Sequence, residues 1–248
     1  MSAISREEQE KYERFWYPLS YFFGAWLGDG HYVWDPFSRV YQIGLVSMDT
    51  EILEKIFITL RGYFKFLKDP CVYEEISPNN TKIWRYRYNN KVFTDFVCRA
   101  TAYKTMLPDY IWNAPKEVQL EMLSGLMDTD GTIVVQKDKG CLNGFFYTLK
   151  FSGCKGFVKQ FPDLCRVIGI NITSTQIEHH SNPNHSDRDV FNISLPSAVD
   201  NGFQFHCKRK QERLNDYLHR RSTAGRRRLE TRYGKDLLPS ETTRQTTL

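Results

Sequence analysis

What this 248-residue chain lacks narrows its reading first. No apolar run approaches the roughly 20 residues that a membrane-spanning helix needs. The opening stretch, MSAISREEQEKYERF, is charged and holds no apolar core, so no secretory leader is expected. The cysteines, at 71, 98, 141, 154, 165 and 207, are scattered. They form neither a Cys-x-x-Cys pair nor a zinc-finger spacing and are expected as reduced thiols of a cytosolic protein. The chain holds six histidines. His179, His180 and His185 lie near one another, with no cysteine or clear acidic partner to complete a metal spacing, and read as polar loop residues.

Enough apolar material remains for a substantial core. Forty-one per cent of the residues are hydrophobic and 15% aromatic, which excludes wholesale disorder. The length fits one large domain or two small ones. The net charge of +5 is unevenly spread: residues 201–248 hold 12 Lys and Arg against 5 Asp and Glu, and residues 1–200 hold 22 against 24. A basic end of this kind suits a polyanionic partner, usually nucleic acid, or is a solvated tail.

A search for internal similarity finds a repeat. Phe22–Gly30 (FFGAWLGDG) and Leu123–Gly131 (LSGLMDTDG) are both apolar runs with an embedded small residue, and both end in Asp-Gly. Asp29 and Asp130 are 101 residues apart, about one small domain. The same order of elements follows each. In the first half, strands His31–Trp34 and Arg39–Val46 flank an Asp-Pro turn, and Asp49–Tyr63 has a helical period. Lys82–Tyr88 reads as a strand and Val92–Cys98 as a short helix. In the second half, strands Thr132–Gln136 and Phe145–Phe151 flank a turn at Lys137–Gly140. Phe157–Ile168 reads as a helix that restarts at Pro162. Ile170–Glu178 and Val190–Leu195 read as strands around a Ser181–Asp189 loop, and Ala198–Phe205 as a short helix. The fold class is therefore α+β, a tandem αββαββα duplication with two antiparallel sheets. Only one strand of the second pair is clear in the first half. The expected divisions are 1–104, 105–218 and a basic tail, 219–248.

The two Asp-Gly segments carry the chemistry. Tyr17–Gly28 and Val118–Thr129 read as helices, with Pro18 and Pro115 near starts that tolerate proline. Gly30 and Gly131 are expected in the left-handed conformation that ends many helices. Gly24 and Gly28, four residues apart, line one face, and Ser124 and Gly125 supply small residues in the second half. A glycine inside a helix costs ~1 kcal/mol against alanine, so close helix–helix contact is the expected return. Such packing would bring Asp29 and Asp130 together at two negative helix ends, which is unfavourable unless a divalent cation binds. Carboxylates, water and phosphate oxygens suit Mg²⁺, and such a site can cleave a phosphodiester. Either segment alone is an ordinary helix end.

With these motifs in the duplicated frame, the chain resembles the two-repeat LAGLIDADG (DOD-type) homing endonucleases, including those embedded in inteins. GAWLGDG and LSGLMDTDG carry the resemblance, which covers about residues 15–218. The first motif departs more: Phe23 replaces a small residue, and Leu27 replaces the first of two acids. The resemblance implies a metal-dependent, site-specific DNA endonuclease that leaves a staggered break with 3′ overhangs. It implies two or three Mg²⁺ ions, which Mn²⁺ can replace, held by Asp29 and Asp130 and by the carbonyls of Gly28 and Thr129. Lys104 and Lys208 match lysines near the scissile phosphates, with Lys210 as the alternative if the register slips by two. Lys150 matches a further Lys or Gln position. Pairing Tyr41 with Tyr147 puts Gly44 opposite Lys150, so the first half lacks its equivalent and the two strand cuts can differ.

The fold implies a sheet saddle that reads DNA in the major groove. Arg85 and Arg87 share one face of KIWRYRY. Arg39, Tyr41, Gln42 and Lys82 in the first half, and Gln136, Lys137, Thr173, Thr175, Gln176 and Arg188 in the second, are further contact candidates. Each of these can equally be part of a solvated face. Lys208–Arg232, with Arg226–Arg228, can grip phosphates, and the final ETTRQTTL is expected to be disordered. Double-stranded DNA with a long asymmetric site is the expected partner, bound by a monomer that lies wherever the host genome lies. An RNA maturase that aids intron splicing and a non-cutting DNA binder are the alternatives. A self-splicing intein is disfavoured by the Met start and the Thr-Leu end.

Overall fold

The apolar run after Tyr17 cannot remain in water, and it becomes the centre of the molecule. The computed structural model describes residues 6–77, 79–138, 144–154, 156–179 and 186–233. Helix α1 (Arg6–Lys11) continues through one wide turn and one tight turn into α2 (Ser20–Asp29), which is buried from Ser20 to Gly28. Its counterpart, α5 (Lys116–Asp130), is buried from Met122 to Asp128. These helices pack directly on each other.

Glycine makes that contact. A Cβ on Gly24 would stand 2.2 Å from the Met122 carbonyl oxygen, and one on Gly125 would stand 2.4 Å from the Tyr21 carbonyl oxygen. The backbones therefore touch where the two residues cross. The buried Ser124 hydroxyl donates to the Gln204 carbonyl at 2.7 Å. Gly30 and Gly131 are not left-handed as expected. They are extended, at φ −70° and −91°. Glycine is needed there because a Cβ would stand 2.3 Å from the Trp26 oxygen, or 2.5 Å from the Met127 oxygen.

Each helix feeds a four-stranded antiparallel sheet. The first comprises β1 (His31–Asp35), β2 (Val40–Ser47), β3 (Cys71–Ile76) and β4 (Lys82–Asn89), in the order β1-β2-β4-β3. The second comprises β5 (Gly131–Lys137), β6 (Phe145–Gly153), β7 (Ile172–Glu178) and β8 (Arg188–Ile193), in the equivalent order β5-β6-β8-β7. The expected α+β duplication is thus the observed fold. Strand β3 supplies the missing member of the first half.

Helices α3 (Thr50–Tyr63) and α4 (Lys91–Ala100) belong to the first half, and α6 (Phe161–Ile168) and α7 (Leu195–Asp200) to the second. Residues of period two cover one sheet face with core side chains: Ile43, Leu45 and Tyr88, then Ile133, Leu149, Phe151, Phe191 and Ile193. As expected, Pro162 sits in the first turn of a restarted helix, after a tight turn at Gly156–Gln160. The short helix expected at Ala198–Phe205 instead starts at Leu195, because Ser194 caps it by accepting from the Ser197 N–H. Helix α8 runs from Lys208 to Tyr233 without a break at 218. No described helix is long and apolar enough to cross a membrane. Part of the Lys137–Gly140 turn, Cys141, His180, His185, most of the Ser181–Asp189 loop, the side chains of Arg226–Arg228 and the final stretch lie outside the described residues.

Candidate active site

The two Asp-Gly pairs come together at one end of the α2–α5 contact. A Cβ on Gly28 would stand 3.2 Å from Asp130 Oδ2 and 2.0 Å from Thr129 Oγ1, so the end of α5 lies against the end of α2. Both ends carry the negative pole of a helix dipole, and each adds a carboxylate. Asp29 is exposed and Asp130 half-buried.

A lysine closes each helix end. Lys104, only 7% exposed, donates from Nζ to the Gly28 carbonyl at 3.3 Å and to the Gly30 carbonyl, and lies over the Trp26 ring. Lys210, 5% exposed, donates to the carbonyls of Met127, Asp128 and Thr129 at 3.0, 2.6 and 3.2 Å. These ammonium groups offset the helix poles and the aspartate charges. Burial lowers the Lys210 pKa, and the neighbouring Cys207, Asp128 and Asp29 offset only part of that fall. Lys208 is not at the site. It is exposed, and its backbone N–H donates to Glu51 Oε1. One helical turn from Cys207 to Lys210 turns Lys210 inward, so the register two residues on is the one the fold uses.

The two lysines arrive by different routes. Lys210 stands in the first turn of α8. Lys104 ends a run of three left-handed residues, Ala102, Tyr103 and Lys104, at φ 42°, 57° and 68°. Such backbone costs ~1–2 kcal/mol per non-glycine residue, and it persists because neighbouring structure over-determines it. Here the Tyr103 N–H bonds the Cys98 carbonyl at 2.7 Å, and the buried Thr101 hydroxyl donates to the Val97 carbonyl at 3.0 Å.

Asp128, the first acid of the second motif, has a different task. It is 2% exposed and accepts from Tyr21 Oη at 2.8 Å and from the backbone N–H groups of His206 and Cys207 at 3.1 Å. Burial raises its pKa, and these hydrogen bonds offset only part of that rise. The carboxylate ties the segment before α8 to α5 and so places Lys210. In the first motif the corresponding Leu27 is fully buried.

The outer sheet faces continue from the aspartates, since β1 and β5 begin directly after them. Gln42, Arg85 and Arg87 share the open face of the first sheet, where Arg87 pairs with Gly44 and Arg85 with Val46. Arg85 bonds Glu75 at 3.0 Å, and Arg87 lies over the Tyr73 ring. Gln136, Lys150, Gln176 and Arg188 share the open face of the second. Arg39 lies in the exposed β1–β2 turn. Four contact candidates fall elsewhere because side chains alternate. Tyr41 stands with Ile43 and packs edge-on against Trp34. Lys82 stands over Trp84 and pairs with Glu74. Lys137 and Thr175 also lie on the inner side, opposite Phe145 and Phe191. Thr173 sits in a strand irregularity and donates to the Asn192 carbonyl.

His31 belongs to no motif that marks it in the sequence, yet it lies in this site, against Gly44. Burial lowers its pKa, and the positive charges of Arg85, Arg87 and Lys104 lower it further. Asn192, likewise unmarked by any motif, pairs with Lys150 and donates to Ser174 at 2.7 Å.

The donors at the helix ends are all oxygens: the carboxylates of Asp29 and Asp130 and the carbonyls of Gly28 and Thr129. A hard divalent cation takes this set. Each carbonyl held by a lysine keeps a second lone pair. The residues present therefore fit such an ion.

No protein-family model matches the chain, and no curated protein matches it in sequence. Solved structures do resemble it in fold. One is the homing endonuclease I-WcaI bound to its DNA recognition sequence, with 15% identity and a TM-score of 0.51 over 85% of this chain and 94% of that one. Another is I-DmoI in complex with DNA and Ca, with 14% identity and a TM-score of 0.49 over 74% and 86%. The matching architecture, from paired central helices to two β-β-β-β sheets in one strand order, shows that this chain has the LAGLIDADG homing-endonuclease fold.

Proposed function

We propose that this chain is a site-specific endonuclease that cuts both strands of a long asymmetric DNA site. The observation that carries this reading is the meeting of two helix ends, each with one carboxylate and one buried lysine. A DNA-binding protein has no use for two juxtaposed carboxylates at negative helix poles. Two such centres in one chain serve two strands, so a monomer suffices.

Asp29 and Asp130, with the carbonyls of Gly28 and Thr129, would hold divalent ions, preferably Mg²⁺. Bound there, such ions supply Lewis acidity and a more acidic water. The chain's own groups do the rest. The open sheet faces, with Gln42, Arg85, Arg87, Gln136, Gln176 and Arg188, bind and register the duplex. Lys150 faces the charge that develops on the phosphate, and the buried ammonium groups of Lys104 and Lys210 add positive potential from behind the helix ends. Water forms the new P–O bond and gives up a proton to solvent, the P–O3′ bond breaks, and the leaving oxygen takes a proton from solvent. The products are a 5′ phosphate and a 3′ hydroxyl, in a staggered break with 3′ overhangs.

The test starts from a random duplex library. Duplexes retained by the protein are sequenced and then incubated with Mg²⁺, beside Asp29→Asn and Asp130→Asn. A discrete double-strand break, lost in both variants while retention persists, supports the proposal. Specific retention with no cut would leave a non-cutting binder. No DNA specificity, with retention of structured intron RNA, would leave a maturase.

A further inference from the structure

The pairing registers match the two halves row by row. In the second sheet, Thr132, Lys150 and Asn192 stand side by side across β5, β6 and β8. In the first, His31, Gly44 and Arg87 stand side by side across β1, β2 and β4. Each row begins at or just after the glycine of an Asp-Gly pair, so each is the part of the open face nearest the helix ends. Lys150 projects from the second row. Gly44, its counterpart, has no side chain to project.

That space is filled from the neighbouring strand. A Cβ on Gly44 would stand 2.2 Å from both Cε1 and Nε2 of His31 and 3.0 Å from its Cδ2. The three nearest atoms all belong to one imidazole, so the ring lies across Gly44. A side chain at 44 would have to displace the His31 ring from this place. In the second half, the smaller Thr132 leaves the space to Lys150. Arg87 does not take the vacated place, because its guanidinium leans over Tyr73 of β3, 5.0 Å from the ring centre.

We propose that His31 occupies, in the first half, the position beside the phosphodiester that Lys150 occupies in the second. This rests on the endonuclease reading. It deepens that reading by assigning a catalytic contact to a residue outside the repeated motif. It also sets an order on the two cuts. Lysine brings a full charge on a flexible stem that can follow the developing charge of the transition state. An imidazole with its Cε1–Nε2 edge against Gly44 brings only its ring nitrogen. The strand served by the first half is therefore cut more slowly, and a nicked intermediate accumulates.

The experiment resolves the strands. The duplex recovered above is labelled with a different dye at each 5′ end, and cutting of both strands is followed with Mg²⁺ for wild type, His31→Ala, Lys150→Ala and the row exchange His31→Thr with Gly44→Lys. Retention of the duplex without cutting is measured for each. His31→Ala should slow the slower strand about 10- to 100-fold, within the range for loss of one transition-state donor, and leave the faster strand within about twofold. Lys150→Ala should slow the opposite strand. The row exchange rebuilds a pair that already packs in the second half, and it should bring the two rates within about threefold. If His31→Ala slows both strands alike or neither, with retention unchanged, the assignment is overturned. If His31→Ala weakens retention or lowers the melting temperature, the row exchange decides: rates left unequal as in wild type overturn it. A wild-type chain that cuts neither strand overturns the endonuclease reading with it. A wild type that cuts, with His31→Ala unaffected, overturns this inference alone.

Discussion

At the scale of single residues, two positions separate this site from a generic basic surface. Lys210 is buried against three carbonyls, while Lys208 points to solvent two residues away. Lys210→Met should slow DNA cutting ~10²–10³-fold, and Lys208→Met should leave the rate within about twofold. Equal effects in a single-turnover assay would return the site to Lys208. Sequence spacing alone could not choose between them, because both follow Asp130 at a similar distance and only the helical turn after Cys207 separates them. The same limit explains Tyr41, Lys82, Lys137 and Thr175. Residue type marks a potential contact, but alternation along a strand decides the face, and the face depends on register. Arg85 and Arg87 were legible because they lie two apart on one strand. Arg87→Ala should reduce the slope of log K against log salt by ~0.9 if Arg87 meets a phosphate. An unchanged slope with relaxed sequence preference, measured by retention over a salt series, would instead make it a base contact.

Elements add a second layer of constraint, and glycine shows how it works. Gly24 and Gly125 were legible as unusual because a helix interior rarely tolerates them. Gly24→Ala should lose ~1–3 kcal/mol through the backbone clash, despite alanine's better helix propensity. Gly62, with nothing within 4 Å of its absent Cβ, is the contrast. Gly62→Ala in α3 should gain ~0.5–1 kcal/mol, which for a chain of this size raises the melting temperature by ~2–4 °C per kcal/mol. Thermal melts of the two variants should move in opposite directions. Strand β3 was harder to read: CVYEEI lies at a sheet edge, almost wholly exposed, so no apolar alternation marks it. The left-handed run at Ala102–Lys104 was not legible at all, since none of its residues is glycine or asparagine. Ala102→Gly should relieve strain and stabilise by ~1 kcal/mol, leaving Lys104 where it is. A lower melting temperature for that variant would mean the turn is not strained.

For the whole molecule, the question is what keeps two repeats in one register, since displacement of one would separate the aspartates. The α2–α5 contact supplies the apolar part. A polar cluster at its flank supplies the rest: Lys55 from α3 of the first half bonds Glu121 of α5 at 2.8 Å and meets His206 at 2.7 Å, and His206 also meets Glu121 at 3.1 Å. Lys55 lies over the Tyr21 ring as well, beside the phenol that donates to Asp128. Burial alone would raise the Glu121 pKa, but the hydrogen bonds from His206 and Lys55 outweigh it and bring the carboxyl down to about 2. A carboxyl depressed in the folded state stabilises it above the unfolded pKa. That contribution is lost as pH falls from about 4.5 towards about 2. Urea midpoints of wild type should therefore fall across this window. Glu121→Gln should start lower at pH 7 and fall less steeply, because it has no proton to gain. Parallel curves for the two proteins would remove Glu121 as the pH-sensitive link between the halves. In that outcome, cutting by Glu121→Gln at pH 7 should match wild type, because the glycine contact alone would then hold Asp29 and Asp130 together.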